Sequence, residues 1–367
     1  MVGLSPEAAF DELGAWPGVL SRLLVGEDLS TDEARTVMDQ VFSGAATPVQ
    51  IAGFMTALRA KGETVEEITG LVRAMLAHAE PVVIEGDVLD MVGTGGDRLR
   101  SFNVTTLAAL VTAGAGVPVC KHGNRAASSS VGTADVLEAL GVVIDLGPTG
   151  VARCVTEAGM GFCFAQRFYP AMRFAAPVRR ELGVPTVFNF LGPLANPARA
   201  RLQVLGVNDP AMALKMAGVL GANGSRRAMV VYADDGLDEL SVTSPSTIVE
   251  LVGDGQGTYE LATRRLDPTD LGLTLGVMDD LRGGDAAFNA EVIRRILAGE
   301  QGPRRDIGIL NAAAGLVVAG RADDLASGIV LAARSIDEGW AARALADLVT
   351  VSQAARADEL AAAPGPD

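Results

Sequence analysis

Hydrophobic positions three or four residues apart dominate the chain from Trp16 to about His78, and this spacing predicts amphipathic helices. Helix-start signals divide the stretch, because a Ser or Thr able to cap a helix stands before each new apolar face. These signals begin at Ser30, Thr47 and Thr64. We therefore expect a small all-helical domain over residues 1–84.

After residue 84, short apolar runs alternate with helical periods, a rhythm typical of α/β domains. The runs expected as strands are 88–92, 117–120, 142–146, 162–165 and 229–233. Beyond Asp285 the helical spacing dominates again. We expect an α/β domain over 85–352 and a C-terminal tail over 353–367. The stretch 177–200, rich in Pro and Gly, is expected to pass back towards the helical domain.

The charge balance excludes several classes of function. The chain has 45 acidic and 30 basic residues among 367, a net charge of -15, which repels nucleic acid and anionic membranes. No signal sequence or membrane span is evident. Three widely spaced cysteines fit a reduced compartment, so we expect a cytoplasmic protein. With only two histidines, His78 and His122, a His-based metal cage is nearly excluded.

A Gly-rich loop, GTGGD from Gly93 to Asp97, follows the first apolar run. Ser101 and the polar run NVTT, from Asn103 to Thr106, come before the next helical stretch. Glycines let the backbone approach phosphate oxygens, and a helix start supplies N–H donors and a positive dipole end. GTGGD alone fits an ordinary strand-to-helix turn equally well, but the polar run favours phosphate binding.

A second polar loop, KHGNRAASSSVGT over 121–133, follows the run 117–120. It contains two cations, Lys121 and Arg125, together with an amide and four hydroxyls. Arginine offers a planar fork for phosphate and lysine a point charge. In so acidic a chain this cluster favours an anion site over a merely solvated loop. His122 by itself is more typical of a structural hydrogen bond than of catalysis.

Four carboxylates lie within six residues in DDGLDE, over 234–239. Carboxylates this close repel each other unless cations neutralise them, and hard oxygen ligands beside a phosphate suit Mg²⁺. Without the two loops, an exposed acidic turn would be the better interpretation.

Several arginines cluster in the segment that contains Phe168–Pro170. Any one of them could receive a substrate carboxylate bidentately, although a surface salt bridge is the more ordinary role. The cluster consists of Arg167, Arg173, Arg179 and Arg180.

Together these motifs resemble the anthranilate phosphoribosyltransferase family, of the nucleoside-phosphorylase-like, class IV phosphoribosyltransferases. The resemblance extends from the N-terminal helices to about Asn311. The segments that carry it are GTGGD, NVTT, KHGNRAASSSVGTADVLEALG, FYPAMRFAAPVRRELG, FNFLGPLANP and DGLDEL.

The resemblance implies a small N-terminal helical domain, a large α/β domain with a central, mostly parallel sheet, an active site at the hinge and a homodimer. It implies transfer of the phosphoribosyl group of phosphoribosyl pyrophosphate (PRPP) to anthranilate in tryptophan biosynthesis, with Mg²⁺, as two ions. The PRPP-binding residues it implies are Gly93, Gly96, Asp97, Ser101, Asn103, Val104, Thr105, Thr106, Lys121, His122, Gly123, Asn124, Arg125, Ala126, Ala127, Ser128, Ser129 and Thr133. The anthranilate-binding residues are Gly93, Asn124 and Arg179, and the Mg²⁺ ligands are Thr105, Asp238 and Glu239. His122 is a candidate for assisting proton removal.

Some residues depart from the family pattern. Thr105 and Thr133 stand where the family usually has Ser, and both keep the hydroxyl. Tyr169 stands where it usually has His, which removes a group that titrates near neutral pH and leaves another aromatic acceptor open. Gln166 also replaces a frequent Pro.

Two further alternatives remain open at this stage. A pyrimidine nucleoside phosphorylase shares the architecture and part of the KHGNR loop, but the DGLDEL segment argues against it. A non-catalytic relative that binds nucleic acid is disfavoured by the net charge of -15.

Overall fold

The N-terminal part of the protein is helical, as the hydrophobic spacing predicts. The computed structural model describes residues 6–95, 99–125 and 131–362. The helices before the first strand are α1 Pro6–Glu12, α2 Ala15–Leu24, α3 Thr31–Phe42, α4 Pro48–Lys61 and α5 Val65–Ala77. We call these helices the helical unit.

All three helix-start signals are confirmed as capping boxes. The side chains of Ser30, Thr47 and Thr64 accept hydrogen bonds from backbone N–H groups three residues later, at 3.3, 3.3 and 3.2 Å. Each box satisfies donors that a helix start would otherwise leave without a partner. The sequence therefore predicts where these helices begin.

The strands in the described residues form one sheet. They are β1 Leu89–Gly93, β2 Val119–Gly123, β3 Met160–Phe164, β4 Leu202–Gly206, β5 Arg227–Ala233, β6 Ser246–Gly253 and β7 Tyr259–Leu266. Their order is β3-β2-β1-β4-β5-β6-β7. Strands β1 to β5 are parallel to one another. Strand β6 pairs antiparallel with β5, and β7 pairs antiparallel with β6, so the mostly parallel sheet is confirmed.

Helices cover the sheet and fill the rest of the α/β domain. They are α6 Val104–Gly114, α7 Thr133–Ala139, α8 Pro148–Ala158, α9 Ala165–Phe168, α10 Ala176–Leu182, α11 Phe188–Leu194, α12 Pro210–Ala222, α13 Ala286–Leu297, α14 Pro303–Val318, α15 Leu325–Asp337 and α16 Trp340–Ala362. Short 3₁₀ turns lie at Pro170–Phe174, Pro268–Leu271 and Met278–Leu281. Helices α6 and α14 pack together and are buried over almost their whole length, as helices that are apolar on every side should be. Within the described residues, no helix has the length and apolar character needed to cross a membrane.

Two helices of the stretch 177–200 contact the helical unit. Helix α10 packs against α4, and α11 packs against α5. The domain limits at 84 and 352 stay predictions. Helix α16 continues without a break past residue 352 to Ala362, and Ala355 is buried.

One predicted strand, 142–146, is wrong. The segment is an irregular connection whose backbone bonds to side chains of α16: Val143 N–H donates to Ser352 Oγ at 3.1 Å, and Asp145 O accepts from Arg356 at 3.2 Å. Because these bonds satisfy its polar groups, the segment needs no strand partner. The strands β4, β6 and β7 were not predicted.

The three cysteines of the chain are buried thiols. The sulfur atoms of Cys120 and Cys163 lie 3.7 Å apart on the neighbouring strands β2 and β3. Burial raises the pKa of the Cys154 thiol to about 12. Burial also raises the pKa of the Cys163 thiol, so neither Cys154 nor Cys163 is a reactive thiolate at neutral pH.

Candidate active site

Both Gly-rich loops leave the sheet at neighbouring carboxyl ends, β1 at Gly93 and β2 at Gly123. On the other side of β1, strand β4 ends at Gly206, directly opposite Gly93. The chain builds the sheet outwards in one direction from β1 and in the other from β4. The edge between them is therefore a topological switch point, where open α/β sheets bind their ligands.

Asp238 lies in the gap between these two strand ends. Its Oδ2 accepts a hydrogen bond from Gly95 N–H at 2.7 Å. A Cβ atom at Gly93 would overlap the Asp238 carboxylate, and one at Gly206 would overlap its backbone carbonyl. Both positions therefore require glycine, and the second of them was not singled out from the sequence.

The four carboxylates of the acidic segment separate into two pairs. Asp234 is exposed and pairs with Arg265 at 2.5 Å, while Asp235 accepts a hydrogen bond from Ser241 Oγ at 2.7 Å. Asp238 and Glu239 are each only 7% exposed. The second pair is not the exposed acidic turn of the alternative interpretation.

The start of α6 faces the buried carboxylates. Thr105 Oγ1 donates to Glu239 Oε1 at 3.2 Å, so two of the three predicted metal ligands are in contact, and the third, Asp238, is adjacent in sequence. All of them offer oxygen atoms, the ligand type that Mg²⁺ prefers, so this group of residues fits that ion.

Other predicted residues at this helix start have different surroundings. Asn103 stands at the N-cap position, and its Oδ1 accepts from Asn289 Nδ2 at 2.9 Å. Val104 and Thr106 are buried, and Thr106 Oγ1 has no hydrogen-bond partner among the described residues. Ser101 is half-buried and forms a backbone bridge with Arg282.

Lys121 is a buried cation, 1% exposed, on strand β2. Its Nζ donates a hydrogen bond to the carbonyl of Met91 on β1. Burial lowers its pKa, while the carboxylates of Asp90, Glu239 and Asp238 favour its charged form. The net effect is a pKa below the ordinary value for lysine.

His122 is held at both ring nitrogens. Nδ1 lies 2.6 Å from Asp90 Oδ2, and Nε2 lies 2.5 Å from the carbonyl oxygen of Gly192. Burial acts to raise the pKa of Asp90, but His122 and Lys121 outweigh it, so that this pKa lies below its ordinary value. Asp90 was not predicted as a functional residue, although its position as an acidic residue inside the apolar run 88–92 was a signal.

The second loop is described up to Arg125. The Arg125 guanidinium pairs with Asp135 at 2.8 Å and with Glu138 at 2.5 Å. Thr133 begins α7, and a Cβ added to Gly123 would lie 3.3 Å from the Thr133 Cβ. Gly96, Asp97, Ala126, Ala127, Ser128 and Ser129 lie outside the described residues.

A cleft of about 400 Å³, the Arg179 cleft, opens between the helical unit and the second loop. Asn124, Phe188 and Leu191 contribute to its walls. Arg179 is half-buried, its guanidinium carbon lies 5.9 Å from the centre of the Phe188 ring, and burial lowers its pKa. Within the described part of the chain, its side chain has no carboxylate partner.

Tyr169 also borders this cleft, but its hydroxyl points elsewhere. The hydroxyl donates a hydrogen bond to the carbonyl of Ala195, and the side chain is buried. Burial raises its pKa well above the ordinary value. Tyr169, which stands where the family usually has His, therefore lines the cleft with its ring, while its hydroxyl forms a hydrogen bond that stabilises the fold.

Family models match both parts of the chain. The a/b domain of the glycosyl transferase family matches residues 85–342, and its helical bundle domain matches residues 17–79. The anthranilate phosphoribosyltransferase of Rhodococcus jostii is 54% identical over 337 residues, which cover 90% of this chain and 91% of that protein. The chain belongs to the anthranilate phosphoribosyltransferase family.

Solved structures of this family share the fold over nearly the whole chain. The Thermus thermophilus enzyme has a TM-score of 0.85 and 43% identity, covering 91% of this chain and 99% of that one. The Saccharomyces cerevisiae enzyme in complex with PRPP and Mg has a TM-score of 0.83 and 27% identity, covering 92% and 98%.

Proposed function

We propose that this protein transfers the phosphoribosyl group of PRPP to anthranilate, which yields N-(5-phosphoribosyl)anthranilate and pyrophosphate in tryptophan biosynthesis. The observation that carries the proposal is the position of the buried Asp238–Glu239 pair. It lies at the switch point of the sheet, between the ends of β1 and β4 and next to Thr105. Family membership supports the same reaction.

PRPP binds along the carboxyl edge of the sheet in this proposal. The backbone N–H groups of the first loop and of the start of α6 donate hydrogen bonds to phosphate oxygens. Lys121, on β2, contributes positive charge to the same site. Thr105, Asp238 and Glu239 hold Mg²⁺, as two ions. When bound, Mg²⁺ neutralises charge on the pyrophosphate and so makes it a better leaving group.

Anthranilate binds in the Arg179 cleft. The Arg179 guanidinium receives its carboxylate, and the Phe188 ring and Leu191 provide apolar surface for the aromatic ring. Asn124 belongs to the second loop and also lines this cleft, so in this proposal the amine lies next to the loop that binds PRPP. Arg179 is suited to this role because no carboxylate of the described chain already occupies it.

In the reaction, the bond between C1 of the ribose and the pyrophosphate oxygen breaks while a bond from C1 to the amine nitrogen forms. The nitrogen then loses one proton, which the departing pyrophosphate or a solvent molecule accepts. An aniline-type amine is already neutral at pH 7, so no strong base is needed beforehand. His122 serves mainly to position the loop, because both of its ring nitrogens already have partners.

The decisive experiment follows anthranilate fluorescence in the presence of PRPP, with and without Mg²⁺. We expect the fluorescence to fall only when both are present. A constant signal, together with PRPP binding measured by calorimetry, would instead indicate another aromatic acceptor. Phosphorolysis of thymidine or uridine would support the nucleoside phosphorylase alternative.

We also propose that the protein is a homodimer. Light scattering of the purified chain at several concentrations tests this, and a monomer mass throughout would contradict it.

A further inference from the structure

A second cleft lies at the opposite edge of the sheet from the Gly-rich loops. Its volume is about 470 Å³, and it lies at the amino ends of β4 and β5, near Gln203 and Ser225. Strands β4 and β5 run from this edge towards the carboxyl edge that carries the Gly-rich loops. We call it the arginine cleft.

Arginines give this cleft its charge. Arg35, Arg73, Arg199 and Arg201 line it, and no Asp or Glu is found among its described lining residues. The chain as a whole has 45 acidic residues against 30 basic ones, so a cluster of cations without carboxylates is unexpected by composition. Like charges gathered in one cleft repel each other and favour an anion between them.

Two of the four guanidiniums already have partners. Arg73 donates to Asn223 Oδ1 at 3.1 Å and to the carbonyl of Ala222 at 3.0 Å, while Arg35 lies 3.9 Å from Asp39. Arg199 and Arg201 form no side-chain hydrogen bond or ion pair with the described residues. They can therefore bind an anion without losing an existing contact.

An amide of the cleft wall also lacks a partner. Asn223 Nδ2 is buried and has no hydrogen-bond acceptor among the described residues, although Asn223 Oδ1 is held by Arg73. A buried donor without an acceptor costs about 1–3 kcal/mol. An anion near Asn223 would supply the missing acceptor with a modest shift of the side chain.

The walls of the arginine cleft come from both parts of the protein. Arg35 and Arg73 belong to α3 and α5 of the helical unit, whereas Arg199 and Arg201 precede β4 in the α/β domain. An anion held between them would therefore connect the two parts of the protein.

We propose that the arginine cleft is a second anion site, which binds a small molecule carrying phosphate groups and joins the helical unit to the α/β domain. Guanidinium forks match phosphate oxygens, and the volume is within the range of small-molecule sites. The inference does not depend on the reaction proposed above, because the cleft shares no residue with that site.

Hydrogen exchange locates the site with inorganic phosphate as the probe, in Mg²⁺-free buffer and against chloride at equal ionic strength. We expect phosphate to protect amides in 196–203 and 219–226, and the Arg199→Gln/Arg201→Gln variant to lose that protection. A matched variant, Arg294→Gln/Arg295→Gln, removes two exposed arginines elsewhere and should keep it. Protection of amides at the carboxyl edge of the sheet is measured separately. The absence of phosphate binding at one site can therefore be distinguished from its absence at the other.

Thermal denaturation provides an independent measurement. Phosphate should raise the melting temperature of the wild type, and the Arg199→Gln/Arg201→Gln variant should need at least about tenfold more phosphate for the same rise. That variant should also melt higher than the wild type in chloride, because it relieves repulsion between cations. Equal protection by chloride, or protection of 196–203 that survives the double substitution, would overturn the proposal.

Discussion

His122 and Asp90 are joined twice across neighbouring strands. The ring Nδ1 lies 2.6 Å from Asp90 Oδ2, and the backbone N–H of His122 donates to Asp90 Oδ1 at 3.2 Å. Since Nε2 also contacts the Gly192 carbonyl, the pair connects β1, β2 and α11 directly below both Gly-rich loops. Its effect is to fix the positions of the loops relative to each other.

Asp90→Asn should therefore destabilise the fold strongly. Each buried donor that loses its acceptor costs about 1–3 kcal/mol, and more where the lost acceptor is charged, as the Asp90 carboxylate is. The free energy of unfolding in urea measures this loss. Asp347→Asn, at an exposed position of α16, is the control and should change stability by less than about 0.5 kcal/mol.

The stability that Asp90 provides should depend on pH in one direction. Its pKa in the folded protein lies below the ordinary value of 3.8, so the folded state favours the ionised form. The contribution is complete above that ordinary value and is lost as the pH falls through the folded pKa. The difference in unfolding free energy between wild type and Asp90→Asn should shrink below about pH 4; a difference that grows there would contradict this assignment.

The double variant Asp238→Asn/Glu239→Gln should raise the Mg²⁺ concentration needed for half-maximal activity. We expect an increase on the order of 10- to 100-fold, because both charged ligands are lost while their shape is kept. A titration of initial rate against Mg²⁺ measures it. The control changes another adjacent carboxylate pair, Asp279→Asn/Asp280→Asn, which is exposed and distant in sequence. An unchanged titration would remove the acidic pair from the metal site.

Arg179→Ala should weaken the binding of anthranilate far more than the binding of PRPP. A hydrogen bond to a charged group contributes about 1.5–3 kcal/mol, so the KM for anthranilate should rise roughly tenfold or more while that for PRPP stays nearly constant. Arg180→Ala is the matched control, because Arg180 is the next residue of α10 and its side chain is exposed. Equal increases in both constants would show that Arg179 acts on the structure and not on the acceptor.

Tyr169→Phe should affect stability more than acceptor choice. The lost hydroxyl leaves the buried Ala195 carbonyl without its partner, a cost of about 1–3 kcal/mol. Because the ring is kept, the KM for anthranilate should stay within about threefold. Tyr232→Phe, at a half-buried tyrosine on β5, is the control for stability. A large change in acceptor preference would mean that the hydroxyl reaches the substrate.

Local signals account for what the sequence predicts correctly. Ser30, Thr47 and Thr64 mark helix starts because capping bonds span only three residues, and the Gly-rich loops are recognisable because glycine is needed where backbone approaches a ligand. Both kinds of signal lie within a few positions of the feature that they specify.

Features that depend on distant contacts were not predicted. Asp90, the partner of His122, is 32 residues away in the sequence. Gly206 must be glycine because the folded chain places Asp238 against it, although the two are far apart in the sequence. Strand β7 escaped notice because most of its residues are exposed, which gives little alternation, and 142–146 looked like a strand although its partners are side chains of α16. Tyr169 could be singled out from the sequence, but not the direction of its hydroxyl.

The burial of all three cysteines has a practical consequence for following motion in this protein. A maleimide dye added to the native chain should leave Cys120, Cys154 and Cys163 unmodified, since all three are withdrawn from solvent. One cysteine introduced in the helical unit and another in the α/β domain would then be the only sites labelled. Fluorescence energy transfer between the two dyes could then measure whether the two parts move relative to each other during turnover, without first replacing any native thiol.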